Sequence, residues 1–247
     1  MDLGINGRKA IVCASSRGLG KACAISLARN GVHVTLNGRD ESVLATTAQE
    51  IRNLAPDIDV ITVAGNVSDP QCQQALLDAT PGADILINNN GGPPFRDFRE
   101  LDRKAMTEGV TMNMITPIEM INGVIDDMSA RGFGRIVNIT SISVKKPVLG
   151  LDLSSGARAG LTAFLAGVCR SVAHNNVTIN NILPGPIDTP LYMGIPETWR
   201  LEKEASMPIK RPGRVEEVVP TVLLLASDAG SFYVGASMNM NGGDVMV

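Results

Sequence analysis

The sequence predicts a single α/β domain in which a doubly wound parallel sheet is covered by helices on both faces. Short β-branched runs alternate with longer helical patterns along the 247 residues, and the apolar runs are continuous rather than alternating. Continuous apolar strands are typical of parallel sheets that are buried on both faces. The repeated strand–helix order requires right-handed crossovers between parallel strands. No repeat, linker or low-complexity tract interrupts the pattern, so residues 1–247 are predicted to form one domain.

The elements follow one another along the chain. Strands, each a short run rich in β-branched residues, are predicted at 10–14, 32–36, 60–64, 85–88, 135–140, 178–182 and 237–240. Helices are predicted between them, among others at 19–29, 42–54, 102–128, 157–174 and 215–226. The longest irregular segment, 183–213, is rich in proline, and loops of this length in compact domains are usually functional. We therefore expect a substrate lid at about residues 185–212.

Composition argues against several classes of protein. A net charge of −3, with 19% of residues charged, gives no basic surface for a nucleic acid. No apolar run approaches the ~18 residues that a membrane span needs, and the first residues lack the apolar core of a secretory signal. The four cysteines are widely spaced and match no metal-binding pattern. We expect them to be buried free thiols of a cytoplasmic protein.

A glycine-rich turn follows the first predicted strand. Gly18 and Gly20 stand where the strand gives way to a helix, and such a turn lets the backbone approach a pyrophosphate at the helix N-terminus. An ordinary strand-to-helix turn can carry the same pattern, so the motif depends on its context. The residues predicted to contact a dinucleotide here are Ser15, Ser16, Arg17, Gly18, Leu19 and Gly20.

The end of the second predicted strand indicates which dinucleotide binds. An acidic residue at this corner would bind the ribose 2′-hydroxyl of NAD, but Gly38 and Arg39 stand there instead. Arg39 together with Arg17 favours a 2′-phosphate, because guanidinium groups bind phosphate through charge-assisted hydrogen bonds. The sequence therefore predicts NADP(H) as cofactor. The alternative is that Arg39 is a solvated residue at the start of the next helix.

Several segments, in the same order and at similar spacing, resemble the short-chain dehydrogenase/reductase family and in particular its 3-oxoacyl-[acyl-carrier-protein] reductase-like members. They are the glycine-rich turn and residues 65–67, 88–91, 135–141, 184–189 and 211–243. The resemblance implies a Rossmann-like fold, a small-molecule carbonyl or alcohol substrate and a homotetramer. The further cofactor contacts that it implies are Asn66, Val67, Asn89, Gly91, Arg158, Pro184, Gly185, Ile187 and Thr189.

The same resemblance implies a reaction site that departs from the family at two positions. Asn113 and Ser141 match the family's asparagine and serine. Its Tyr-x-x-x-Lys pair corresponds to Ser154 and Arg158, and the chain's two tyrosines lie elsewhere, at 192 and 233. Serine is a far weaker acid than tyrosine, whose pKa is near ~10. We therefore predict an oxidoreductase with a non-tyrosine proton device, that is, one in which a group other than tyrosine supplies the proton.

Several sources of the proton remain open. Water or the substrate itself would fill the space left by the tyrosine ring. Lys145 would act if a dry pocket lowered its pKa, and is otherwise an exposed loop lysine. Ser154 and Ser155 also fit the N-cap of the following helix, and Tyr192 would have to swing in from the lid. The candidate catalytic residues are Asn113, Ser141, Ser154, Arg158 and Lys145.

Two functions from different classes fit these residues. The retained Asn113 and Ser141 favour an NADP(H)-dependent oxidoreductase, whereas the losses at 154 and 158 favour a catalytically silent NADP-binding sensor or assembly subunit. A third possibility uses the cofactor structurally in a non-redox reaction such as elimination. The helices predicted at 102–128 and 157–174 are apolar around much of their circumference, which also indicates self-association.

Overall fold

The computed structural model describes residues 2–246 and confirms the predicted α/β fold. Its strands are β1 (Lys9–Val12), β2 (His33–Gly38), β3 (Val60–Ala64), β4 (Ile85–Asn89), β5 (Gly134–Ile139), β6 (Val177–Pro184) and β7 (Ser237–Met240). They form one seven-stranded sheet in the order β3-β2-β1-β4-β5-β6-β7. All six pairings are parallel. The strand order reverses between β1 and β4, and ligands of such sheets bind at the carboxyl ends of the strands beside that reversal.

Helices cover both faces of the sheet. They are α1 (Gly18–Arg29), α2 (Glu41–Leu54), α3 (Pro70–Ala79), α4 (Arg103–Val110), α5 (Thr116–Arg131), α6 (Asp152–Val172), α7 (Pro190–Met193), α8 (Glu197–Ser206) and α9 (Val215–Leu225). One buried cluster joins the sheet to α1, α2 and α9, and a second joins it to α3, α5 and α6. Neighbouring residues of β1 point to opposite clusters, since Val12 belongs to the first and Ile11 to the second. The sheet is therefore buried on both faces, as its apolar runs predicted.

The predicted helix 102–128 is wrong as a single element. A π-helical turn, Thr111–Ile115, separates α4 from α5. Pro117 supplies the reason, because it has no N–H to donate to the carbonyl of Asn113 four residues earlier. The turn widens to accommodate it, and π-helical turns within helices are frequent at functional sites. Asn113, in the middle of this turn, is only 2% exposed.

The helix predicted at 157–174 begins earlier, at Asp152. Its N-cap is Leu151, which makes no capping hydrogen bond through its side chain. Ser154 and Ser155 lie inside the first turn, where the Ser155 hydroxyl and backbone N–H both donate to the carbonyl of Leu151. The interpretation of these serines as the N-cap is therefore wrong, and Ser154 is left facing the protein interior.

The four cysteines are free and buried, as predicted. Burial raises the pKa of the Cys13 and Cys23 thiols to about 12, so both stay protonated near neutral pH. None of the helices described within residues 2–246 is both long and apolar enough to cross a membrane.

Candidate active site

The glycine-rich turn is a tight, hydrogen-bonded structure between β1 and α1. Ala14 has a φ of +45° and Gly18 a φ of +56°, so the chain passes twice through the left-handed region. A β-carbon at Gly20 would lie 2.3 Å from the carbonyl oxygen of Ala14, which leaves room for glycine alone. The Asn89 side chain at the end of β4 donates to that same oxygen at 3.2 Å. The turn is thereby fixed against the neighbouring strand.

Asn37, at the end of β2, connects three segments of the candidate cofactor site. Its Oδ1 accepts from the backbone N–H of Ala14 at 3.2 Å, and its Nδ2 donates to the carbonyl oxygen of Gly65 at 3.2 Å. Its backbone carbonyl accepts from the N–H of Ser15 at 2.7 Å. No role was predicted for Asn37 from the sequence, although an asparagine within a strand of mostly apolar and β-branched residues was the available signal.

The N-terminus of α1 is open to an anion. Arg17 is its N-cap in extended conformation and makes no capping hydrogen bond through its side chain, so the first N–H groups of the helix keep no partner from the cap. Helix N-termini in this state attract phosphate. The Arg17 guanidinium is exposed and lies 3.7 Å from the Asp40 carboxylate, which caps α2. Arg39 is exposed beside them.

The segments at the ends of β3 and β6 lie around this turn. Asn66 is exposed and its Oδ1 accepts from the N–H of Ser68, while Val67 is buried. Thr189 is the N-cap of α7. A β-carbon at Gly18 would touch the Thr189 side chain at 3.5 Å, so the end of β6 faces the glycine-rich turn.

Glycine and proline shape the start of the segment that follows β6. Pro184 ends the strand, and Gly185 passes so close to Asn241 that a β-carbon would lie 3.0 Å from its Cα. Ile187 is buried and forms an isolated parallel bridge with Gly213. The backbone of the predicted cofactor residues 184–189 is therefore held in place by contacts with Asn241 and Gly213.

A buried chain of hydrogen bonds links three of the candidate catalytic residues. The Ser154 hydroxyl donates to Asn113 Oδ1 at 3.1 Å and accepts from Arg158 Nε at 3.2 Å. The Asn113 Nδ2 donates to the carbonyl oxygen of Gly91 at 2.7 Å. Ser154 and Arg158 are one helical turn apart on α6 and so face the same side. The structure thus brings Asn113, Ser154 and Arg158 together where β4 and β5 end.

The Arg158 guanidinium is held by neutral oxygens. Besides Ser154, its partners are the carbonyl oxygens of Ile139 at 3.1 Å, Gly91 at 3.3 Å and Asn90 at 3.4 Å. The residue is 8% exposed. Burial lowers the pKa of its guanidinium to about 10, because a charge out of water is disfavoured.

Ser141 follows Thr140 just beyond the end of β5, at the same edge of the sheet, and is half-buried. Its Oγ accepts from the backbone N–H of Ser143 at 3.1 Å, because Ser141 caps the 3₁₀ turn Ile142–Val144. That bond uses a lone pair and leaves the hydroxyl hydrogen free to donate. Ser141 can therefore hold the oxygen of a bound molecule.

Two other candidates are not brought into this cluster. Lys145 is exposed on the loop after the 3₁₀ turn, which matches its interpretation as a loop lysine. The Tyr192 hydroxyl donates to Glu204 Oε1 at 2.9 Å within the 185–212 segment. Burial, together with that carboxylate, raises the pKa of Tyr192 to about 12 and makes it a weaker acid than an ordinary tyrosine.

Long-range contacts hold the 185–212 segment against the rest of the site. The buried Asp244 carboxylate lies 2.6 Å from Lys203 Nζ on α8 and 2.9 Å from Lys146 Nζ on the loop after β5. Trp199, also on α8, packs edge to face on Phe95 with ring centroids 5.8 Å apart. No role was predicted from the sequence for Lys203 or Asp244, because the contact between them forms only when segments distant in the sequence meet in the fold.

The comparisons with known proteins cover almost the whole chain. A family model described as enoyl-(acyl carrier protein) reductase matches residues 13–244. The acetoacetyl-CoA reductase of Cupriavidus necator is 32% identical over 240 residues, which is 96% of this chain and 97% of that protein.

Solved structures agree with this match. The L-sorbose reductase of Gluconobacter frateurii, in complex with NADPH and L-sorbose, has a TM-score of 0.93 at 26% identity and full coverage of both chains. A 3-oxoacyl (acyl-carrier-protein) reductase of Agrobacterium tumefaciens C58 with NADP bound has a TM-score of 0.91 at 29% identity, covering 98% of this chain and 96% of that one. The fold, the family model and the relatives agree, and the chain belongs to the short-chain dehydrogenase/reductase family.

Proposed function

We propose that the protein is an NADP(H)-dependent oxidoreductase that interconverts a carbonyl and an alcohol with a proton device that does not use tyrosine. The observation that carries the proposal is the buried Asn113–Ser154–Arg158 chain beside Ser141, at the sheet edge where the glycine-rich turn also lies. In this proposal Ser154 and Arg158 take the positions of the family's tyrosine and lysine. The membership of the chain in a family of oxidoreductases supports the reaction class.

NADP(H) fits the residues that are present. The uncapped N-terminus of α1 and the backbone of residues 15–20 would receive the pyrophosphate. Arg39 follows β2, and Arg17, the N-cap of α1, lies 3.7 Å from the neighbouring Asp40. Both arginines are exposed and would hold the 2′-phosphate, since Gly38 stands where an acid would bind a 2′-hydroxyl. The relatives solved with NADPH or NADP support this choice. The other residues proposed to contact NADP(H) are Asn66, Val67, Asn89, Gly91, Arg158, Pro184, Gly185, Ile187 and Thr189.

Ser141 and Ser154 have different roles in the proposed reaction. Bound NADPH supplies the hydride. Ser141 donates its free hydroxyl hydrogen to the carbonyl oxygen, and its Oγ is held in place by the N–H of Ser143. Ser154 already donates to Asn113 and accepts from Arg158, so one lone pair of its oxygen remains to orient a water. That water, rather than Lys145 or Tyr192, delivers the proton in this proposal.

The 185–212 segment is proposed as the lid over this site. Helices α7 and α8 lie in it, and Trp199 reaches the loop that follows β4. The Lys203–Asp244–Lys146 ion triad joins α8 to the loop after Ser141, so the proposed lid is tied to the loop beside the reaction site. Closing such a segment excludes water from the reacting atoms.

The proposal is tested by following NADPH oxidation with aldehydes, ketones, acyl thioesters and enoyl thioesters. We expect turnover with at least one carbonyl class, and its absence across the panel despite NADPH binding favours the silent binding protein instead. The double variant Ser154→Tyr/Arg158→Lys restores the family's pair and supplies a phenol. It should raise turnover of neutral ketones by about 10²–10⁴-fold, the usual contribution of a positioned general acid. Retained NADPH affinity in that variant controls for misfolding.

A further inference from the structure

Two asparagines join the loop after β4 to the π-helical turn, and their hydrogen bonds run in opposite directions. Asn90 Nδ2 donates to the carbonyl oxygen of Met112 at 2.7 Å. Asn113 Nδ2 donates to the carbonyl oxygen of Gly91, also at 2.7 Å. Both bonds are shorter than the usual N–H···O distance of about 2.9–3.0 Å. The π-helical turn is therefore held against this loop by a reciprocal pair of hydrogen bonds.

The Met112 carbonyl needs a partner from outside the helix. The N–H of Thr116, four residues later, donates to the carbonyl oxygen of Thr111 in the π-helical pattern. The next residue, Pro117, has no N–H to donate. Along residues 111–117 the Met112 oxygen therefore receives neither the donor that an α-helix would supply nor the one that a π-helix would supply. The Asn90 amide takes the place of that missing donor.

The position of Asn113 decides how Ser154 is oriented. Arg158 can only donate, so the Ser154 oxygen accepts from Arg158 Nε and the Ser154 hydrogen goes to Asn113 Oδ1. Asn113 turns its Oδ1 toward Ser154 while its Nδ2 is engaged by the Gly91 carbonyl. If the π-helical turn moved away from the loop, Ser154 would lose the acceptor of its hydrogen. Any group that holds this turn in place therefore acts on Ser154 through Asn113.

We propose that Asn90 is a positioning residue of the reaction site, whose amide holds the π-helical turn so that Asn113 can orient Ser154. This inference rests on the proposed oxidoreductase function and deepens it, because it adds a residue that acts through Asn113. The Asn90 backbone carbonyl also accepts from Arg158 Nη2 at 3.4 Å. That bond is independent of the side chain, so a substitution at position 90 tests the amide alone.

The first test measures NADPH oxidation in a single turnover, with the carbonyl compound that the wild type reduces best. Asn90→Ala should lower the rate by about ten- to a hundredfold, because a misplacement of ~1 Å can cost about 10²-fold. The affinities for NADPH and for the carbonyl compound should stay within about twofold of the wild type. Asn90→Asp keeps the size of the side chain but has no N–H, and it should be as slow as Asn90→Ala. A wild-type rate in either variant, or an equal loss of NADPH affinity, overturns the proposal.

The second test asks whether Asn90 acts through Asn113. A positioning residue loses its effect once the group that it positions is removed. The double variant Asn90→Ala/Asn113→Ala should therefore be no slower than Asn113→Ala alone, as judged by a double-mutant cycle. If the losses of rate in the two single variants multiply instead, Asn90 acts independently of Asn113 and the proposal is overturned.

The third test needs no turnover and has a matched control. Asn30 is also half-buried, and its Nδ2 donates to the carbonyl oxygen of Ser26 at 2.8 Å at the end of α1, at the opposite edge of the sheet. Asn30→Ala and Asn90→Ala should both lower Tm by about 2–4 °C, the effect of one lost hydrogen bond in a chain of this length. Only Asn90→Ala should speed amide hydrogen exchange within residues 111–116, by about tenfold.

The exchange measurement also separates this inference from the proposed function. Unchanged exchange within residues 111–116 in Asn90→Ala overturns the role of Asn90. Faster exchange in that variant, together with a wild type that binds NADPH but oxidises none, supports the hold of Asn90 on the π-helical turn and refutes the proposed function.

Discussion

Ala14 stands in a backbone conformation that favours glycine, so Ala14→Gly should stabilise the protein. Its φ of +45° lies in the left-handed region, which costs a residue with a β-carbon about 1–2 kcal/mol. Glycine removes that cost but gives the unfolded chain more freedom, which offsets about 0.4–1 kcal/mol. Ala14 is half-buried, so loss of its methyl contacts removes a further small part of the gain in the free energy of unfolding. The net gain is about 0.5 kcal/mol, or about 1–2 °C in Tm for a chain of this length.

The comparison that makes this measurable is a second alanine-to-glycine change in an ordinary helix. Ala45 is exposed within α2, and Ala45→Gly should lower the free energy of unfolding by about 1 kcal/mol. The extra freedom that glycine gives the unfolded chain is the same in both variants, so it cancels when their free energies of unfolding are compared. Urea unfolding should separate the two by about 1.5 kcal/mol. If Ala14→Gly is destabilised as much as Ala45→Gly, the left-handed strain at the glycine-rich turn is refuted.

Three further predictions follow from other parts of the structure. Arg39→Ala should weaken NADPH binding by about ten- to a hundredfold and leave NADH binding unchanged, as measured by calorimetry; equal losses for both would contradict a 2′-phosphate contact. Burial alone would raise the pKa of Asp244, but hydrogen bonds from Lys203 and Lys146 outweigh it and lower that pKa. A lowered folded pKa gives stability that is present above the unfolded carboxyl pKa near ~4 and is lost as the pH falls through the folded pKa. The difference in unfolding free energy between wild type and Asp244→Asn should therefore shrink on acidification. A difference that stays constant with pH would show that the ion pairs of Asp244 with Lys203 and Lys146 do not cause it. Light scattering should give the mass of the homotetramer that the family resemblance implies. Met106, Ile115 and Phe164 of the α4–α6 surface are at least 40% exposed and favour self-association; a monomer at micromolar concentration would contradict this.

The strands were predictable because their signal is local. Every predicted strand lies within about two residues of the observed one, since continuous apolar runs are needed to fill both sides of a parallel sheet. The break between α4 and α5 could also have been predicted from the sequence. Pro117 stands inside an otherwise helical pattern, and its missing N–H predicts a disturbance one turn earlier, at Asn113.

The chemistry around Arg158 was not predictable from the sequence. Its partners are mostly backbone carbonyls, which every residue has, so no side-chain pattern identifies Asn90, Gly91 and Ile139 as acceptors. From the sequence, Arg158 was predicted to contact the cofactor and to take part in catalysis. Only the fold shows that the guanidinium is buried without a carboxylate. Equally, the ion triad of Asp244 depends on three segments that meet through tertiary folding.

The most direct test of the proposed reaction follows the hydride itself. NADPH carrying deuterium at the transferred position is incubated with the protein and the carbonyl panel, and the alcohol product is analysed by mass spectrometry. The wild type should place one deuterium in the product for each NADPH consumed. Ser141→Ala should slow that transfer by about 10²–10³-fold, the usual loss when one donor to a reacting oxygen is removed, with NADPH affinity unchanged. Deuterated product formed equally fast by Ser141→Ala, or none formed by a wild type that binds NADPH, would contradict the proposed site.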